Sequence, residues 1–72
     1  MTKIDRSNVS DMKYFQSIGM KLDKMYFLGE LSHTAMQTYD DYRREHENDF
    51  NYAELSIYYL ENGWEDLEQI IY

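Results

Sequence analysis

The stretch Phe50-Asn51-Tyr52-Ala53-Glu54-Leu55-Ser56-Ile57-Tyr58-Tyr59-Leu60-Glu61-Asn62-Gly63 decides the fold class. Asn51 followed three residues later by Glu54 is an Asn-led capping box. In that motif the cap side chain accepts from the first orphan amides of a helix, and the Glu reaches back to the cap amide. Phe50 and Leu55 stand at the N′ and N4 positions, where a hydrophobic staple brings them together. Ala53, Ile57 and Leu60 follow at helical spacing. Asn62-Gly63 ends the run, because glycine adopts the left-handed helix-terminating conformation without steric cost. These signals predict a short helix between Asn51 and Asn62.

Upstream, Leu31, Ala35, Met36, Tyr39 and Tyr42 form one stripe. They predict a helix that starts after Ser32 and ends at Asn48 or Asp49. Arg43, Arg44 and His46 would then fall in its last turns, where positive charge suits the helix dipole. Further upstream, Met12, Phe15, Ile18, Leu22 and Met25 recur at spacings of three and four, predicting a longer helix capped by Asn8 or Ser10. It runs to Leu28, with Gly29 as its stop. Gly19 interrupts that pattern at about 1 kcal/mol relative to Ala, a cost that makes sense if another helix approaches there. The short apolar run Met25-Tyr26-Phe27-Leu28 also fits a strand over Lys24 to Leu31.

Downstream, Asn62 or Gly63 is positioned to cap a fourth helix. Glu65 and Asp66 lie in its first turn, and Trp64, Leu67 and Ile71 lie on one face. Residues 1–7 read as a loose polar start. The expected architecture is an all-α, compact bundle of four helices, two longer followed by two short. It forms a single helical domain over residues 1–72.

Composition agrees with a helical reading. The chain has no proline, and Leu, Met, Glu, Asp, Gln and Lys outweigh the β-branched residues that strands favour. A core this small is thin, and with no cysteine there is neither a disulfide nor a thiolate metal site to support it. No apolar run approaches the roughly 20 residues of a membrane span, and no basic start precedes an apolar stretch as in a signal peptide. The expected location is cytoplasmic, with no membrane partner. Asn8-Val9-Ser10 matches a glycosylation acceptor, which has no meaning without secretion.

The net charge of −7 is unevenly distributed. All seven Lys and Arg residues lie in 1–44, against six carboxylates there; residues 45–72 hold eight carboxylates and no Lys or Arg. That half would repel phosphate, so no direct nucleic-acid binding is expected from it; it would attract basic surfaces.

No arrangement carries catalysis. Glu30 and His33 make one Glu-x-x-His pair where a di-iron bundle uses two. His46 among Glu45, Glu47 and Asp49 suggests weak divalent binding, beside the plainer reading of a solvated acidic helix end. Asp40-Asp41 lack the alternating ligands and central glycine of a calcium loop. Adjacent carboxylates such as Asp40 with Asp41, or Glu65 with Asp66, point about 100° apart on a helix and do not share a site. No metal or other cofactor is implied.

Two features point to binding. The eight tyrosines Tyr14, Tyr26, Tyr39, Tyr42, Tyr52, Tyr58, Tyr59 and Tyr72 exceed what four short helices are expected to bury. Tyrosine is also favoured at interfaces, for its contact area and polar tip. Adjacent Tyr58 and Tyr59 must face different ways, which predicts that one is exposed. The second feature is the series Glu54, Glu61, Glu65 and Glu68, at spacings of seven, four and three; within one helix residues three or four apart stand about 5–6 Å from each other, a spacing that resembles that of phosphates along a nucleic-acid strand.

In charge, length and tyrosine content the chain resembles the small acidic proteins that phages and mobile elements direct at host nucleases. These include DNA-mimic anti-restriction proteins and several anti-CRISPR proteins. The segment Asp49 to Asn62 is also similar to part of the small bacterial SAM-like helical proteins, which usually carry Phe-Pro before it. Neither resemblance carries functional residues over to this chain.

The expected function is that of a non-enzymatic inhibitor or regulator. It would occlude a basic nucleic-acid-handling surface on a host protein through Glu54, Tyr58, Tyr59, Glu61, Glu65, Asp66 and Glu68. The alternative is a small helical adaptor or structural domain, compatible with a homodimer, whose acidic face only solubilises it.

Overall fold

In the computed structural model, described for residues 5–64, the chain forms three helices: α1 (Val9–Leu28), α2 (His33–Glu45) and α3 (Tyr52–Glu61). No strand occurs among the described residues, so the chain is all-α. The expected count of four helices is not met among them. The proposed fourth helix lies, apart from Trp64, outside the described residues.

Local chemistry accounts for each boundary. Asn8 caps α1 by accepting from the Asp11 amide at 3.1 Å. Lys24 to Leu28 is helical, which overturns the strand alternative. Gly29, at φ 72°, ends the helix with a Schellman arrangement in which the Gly29 amide donates to the Tyr26 carbonyl (3.1 Å) and the Glu30 amide to Met25 (2.8 Å). Ser32 caps α2 by accepting from the Ala35 amide at 3.3 Å. That helix stops at Glu45, earlier than Asn48 or Asp49. The His46 backbone leaves the helical region, its ring stacks on Tyr42 at 4.5 Å, and its Nδ1 lies 3.2 Å from Asp49. Arg43 and Arg44 do occupy the last turn.

The start of α3 matches its sequence signal only in part. The Asn51 side chain accepts from the Ala53 and Glu54 amides at 2.9 and 3.2 Å. The return bond from Glu54 is not made. The Asn51 amide donates instead to the Tyr42 hydroxyl (3.3 Å), which itself donates to the Asn51 carbonyl (3.2 Å). Glu54 turns outward and accepts from Arg6 Nε and Nη2, at 2.9 and 3.1 Å. Asp5 further accepts from the Ser7 amide and hydroxyl at 3.0 and 2.6 Å; residues 1–4 of the expected loose start lie outside the described residues. At the far end, Gly63 (φ 97°) closes α3. The Trp64 amide donates to the Tyr59 carbonyl at 3.1 Å, and the Trp64 ring lies 6.0 Å from that of Tyr59. Asn62, Gly63 and Trp64 thus serve as the cap of α3.

Helix α3 is central. The expected stripe was Ala53, Ile57 and Leu60, but Ala53, Leu55, Ser56, Ile57 and Tyr59 are all buried and Leu60 only partly so. A helix buried around most of its circumference must be covered on several sides. One side meets α1 at Gly19, where an added Cβ would stand 2.0 Å from the Tyr52 carbonyl oxygen. One turn along, the Ser56 hydroxyl donates to the Phe15 carbonyl at 2.6 Å. Another side meets α2, where the Tyr59 hydroxyl donates to the Ala35 carbonyl at 2.5 Å. Ile18 and Leu22 of α1, Leu31 before α2, Ala35, Tyr39 and Tyr42 of α2, and Leu55 and Tyr59 of α3 form one core.

Gly19→Ala should lower stability by about 2 kcal/mol or more, roughly 10 °C in melting temperature, even though alanine is the better helix former. Met20→Ala, at an exposed neighbour, should stay within about 0.5 kcal/mol. Thermal melts followed by circular dichroism make the comparison; an unchanged or higher midpoint for Gly19→Ala would contradict the close approach.

Candidate partner-binding surface

The tyrosines are first of all core residues. Tyr39, Tyr42 and Tyr59 are almost completely buried, at 1%, 2% and 0% exposure. A buried hydroxyl is costly unless bonded, and each has a partner. Tyr39 donates to Asp23 on α1, Tyr42 bonds the Asn51 backbone, and Tyr59 bonds Ala35. Tyr26 on α1 reciprocates by donating to Asp40 on α2 at 2.5 Å, and the Tyr26 and Tyr39 rings stack 4.0 Å apart. The ring series continues through Phe50, which lies 6.0 Å from Tyr39 and 5.4 Å from Tyr42, to Tyr58, 5.4 Å from Tyr42. The abundance of tyrosine is thus largely an aromatic spine that joins the helices, and a smaller reserve for an interface than the count suggested.

This corrects the candidate list. Tyr59 has no surface to offer a partner. Tyr58, its neighbour, is half-buried, with Glu45 and Asp41 beside it; burial and these two carboxylates push its phenol pKa up. Glu54 is engaged with Arg6, and the pairing raises the Arg6 pKa. Glu61 is exposed near Arg6, and makes no ion pair among the described residues. Glu65, Asp66 and Glu68 lie outside the described residues. The sequence reading missed Asp41 and Glu45 as companions of Tyr58, because only the packing of α2 on α3 brings 41 and 45 next to 58.

The described acidic side therefore consists of Asp41 and Glu45 around Tyr58, with Glu47, Asp49 and Glu61 also exposed. Asp41 has a cation at 3.7 Å, Arg44, in an exposed pair. Such pairs contribute little, on the order of 0–1 kcal/mol, and leave the carboxylate available. Asp49 lies at His46; Glu45 and Glu47 have no Lys or Arg partner among the described residues.

A second concavity opens between α1, α2 and the α2–α3 connection. It is an open cleft of ≈ 730 Å³ whose lining includes Asp23, Phe27, Asp40, Arg43, Glu47 and Tyr52. Arg43 lies over the Phe27 ring, 5.6 Å from its centre, and Arg44, which also lines the cleft, pairs with Asp41. With carboxylates and arginines together on its walls, the cleft has no single charge preference.

Among the described residues no three His, Asp or Glu side chains converge as a metal site. His33 lies 3.1 Å from Gln37, and the expected divalent cluster around His46 reduces to Asp49. No described helix is long and apolar enough to cross a membrane. Compared with known proteins, the chain matches no family model, no curated protein and no solved structure.

Burial, with the hydrogen bond to Asp23 second for Tyr39, pushes the Tyr39 and Tyr59 phenols up; the bond to Asp40, then burial, does so for Tyr26. The folded state thus favours neutral phenols. This contribution to stability is complete below the unfolded phenol pKa of about 10 and is lost as pH rises above it. Phenolate absorbance should appear in two stages, the later one coinciding with loss of helical dichroism. Ionisation of every tyrosine near pH 10 with helicity intact would contradict this assignment.

Proposed function

We propose that the protein is a non-enzymatic binding protein that docks its acidic α2–α3 side on a basic, nucleic-acid-handling surface of another protein and blocks it. This is the mode of action of the small acidic anti-restriction and anti-CRISPR proteins that phages and mobile elements direct at host nucleases. The observation that supports it is the half-buried Tyr58 flanked by Asp41 and Glu45. A partly sunk aromatic gives an anchor at low entropic cost. The carboxylates around it speed encounter with a cationic surface and select against anionic ones. Glu61 belongs to the same reading, and the sequence continues with Glu65, Asp66 and Glu68, with no Lys or Arg after Arg44.

The reading as a helical adaptor, with acidity serving only solubility, draws on a different observation: the core consumes Tyr39, Tyr42 and Tyr59. The two readings differ in what the acidic side binds.

Capture from a bacterial lysate, washed at low and high salt, is the test. Proteins retained at low salt should bind nucleic acid and be released by excess oligonucleotide. Asp41→Lys with Glu45→Lys should weaken their capture by about tenfold or more, and Tyr58→Ala should shorten their retention. Equal capture by the charge-reversed protein, or retention that oligonucleotide does not compete, would overturn inhibition by occlusion. A stable homodimer in sedimentation that buries Tyr58 would favour the adaptor.

A further inference from the structure

The face of α1 that points away from the core has the opposite character. At 3.6 residues per turn, the core residues Phe15, Ile18, Leu22 and Met25 occupy one side of the helix. Lys13, Ser17, Met20, Lys21 and Lys24 occupy the other. There they line, with Gln16, an open groove of ≈ 560 Å³. Val9, Met20 and Phe27 fall within about 20° of one another around the axis and are 67%, 53% and 63% exposed. The large hydrophobic side chains that the described residues expose (Val9, Tyr14, Met20, Phe27 and Leu28) all belong to α1.

The cations of the molecule divide in the same way. Every arginine is engaged internally: Arg6 with Glu54, Arg44 with Asp41, and Arg43 over Phe27. Lys13, Lys21 and Lys24 make no ion pair among the described residues. Lys21 and Lys24 stand three apart on one face, a like-charge spacing that weakens a helix slightly. No specific internal contact therefore uses their charge.

We infer that the outer face of α1, with Met20 at its centre and Lys13, Lys21 and Lys24 along its flank, is a docking surface for an acidic amphipathic helix of a partner protein. Charge complementarity selects the occupant. A second α1 laid across a twofold axis would oppose lysine to lysine. A polyanion such as nucleic acid, or an anionic membrane, extends past the lysines and brings its charge within a Debye length, about 8 Å, of the carboxylates elsewhere on a body of net charge −7, whereas a single helix can confine its carboxylates to the lysine flank. Phosphate recognition also favours the bidentate arginine fork, and the arginines of this chain are engaged elsewhere. A partner helix would place aliphatic side chains on Met20 and the methylene stems of the lysines, and carboxylates along the lysine ammonium groups, as flanking charges do beside the seam of paired helices.

The test uses the full chain, isotope-labelled for amide NMR. The probe is a designed helical peptide of about three heptads, with leucine on the seam and glutamate elsewhere. Its amide shifts should cluster on Lys13, Ser17, Met20, Lys21 and Lys24 and weaken as salt rises. Lys21→Glu with Lys24→Glu should raise the dissociation constant at least about tenfold, and Met20→Ala should weaken binding at unchanged salt dependence. Asp41→Lys with Glu45→Lys, on the acidic side, should leave this binding in place. These substitutions are at exposed positions, and matching dichroism spectra verify the fold of each variant. The inference is overturned if the peptide shifts other residues or none. It is equally overturned if an oligothymidine strand or phosphatidylserine vesicles shift the α1 face at lower concentration than the peptide does.

Discussion

The carbonyl oxygen of Tyr52 lies 2.0 Å from where a β-carbon would stand on Gly19, so α3 can occupy its position only because that β-carbon does not exist. Everything else in the packing is referenced to this approach. With the two backbones this close, the Ser56 hydroxyl reaches the Phe15 carbonyl one turn away, which sets the rotation of α3 about its axis. That rotation sends Tyr59 into α2, to the Ala35 carbonyl, and leaves Tyr58 on the other side, against Tyr42 and near Asp41 and Glu45. The position of the candidate anchor is therefore a consequence of a glycine on a different helix.

A core of this size gains little margin from apolar burial alone, and hydrophobic contacts do not specify register strongly. Here the register comes from hydroxyl groups that cross between elements: Ser56 to α1, Tyr59 to α2, Tyr42 to the start of α3, and the reciprocal Tyr26–Asp40 and Tyr39–Asp23 bonds between α1 and α2. No buried side-chain nitrogen or oxygen among the described residues is left without a partner. Satisfied buried polar groups of this kind penalise alternative packings, because a shifted helix would strand them.

Charge is organised around the same frame. The arginines hold pieces of the molecule together: Arg6 fastens the segment before α1 to α3, and Arg43 covers Phe27. The lysines of α1 have no such internal duty, and of the carboxylates around Tyr58 Asp41 makes only an exposed pair with Arg44. The molecule thus presents a basic, partly apolar helix face and an acidic side bearing an aromatic, two surfaces suited to partners of opposite charge.

Helical class, the caps Ser32 and Asn51, and the stops at Gly29 and Gly63 were determined by the sequence alone, because capping and helical periodicity are local interactions; the choice of Asn8 over Ser10 as the cap of α1 was made in the structure. So was the confinement of Lys and Arg to residues 1–44. The early end of α2 escaped, since it depends on His46 stacking on Tyr42 and bonding Asp49. Glu54 looked like half of a capping box, and only the arrival of Arg6 and the Tyr42 hydroxyl reassigned it. Tyr58 and Tyr59 are indistinguishable as letters; which one sinks and which remains at the surface was decided by the depth of α3 against Gly19. Local chemistry places elements along the chain, but the exposure of a side chain depends on contacts between residues far apart in sequence, and those exist only once the helices have met.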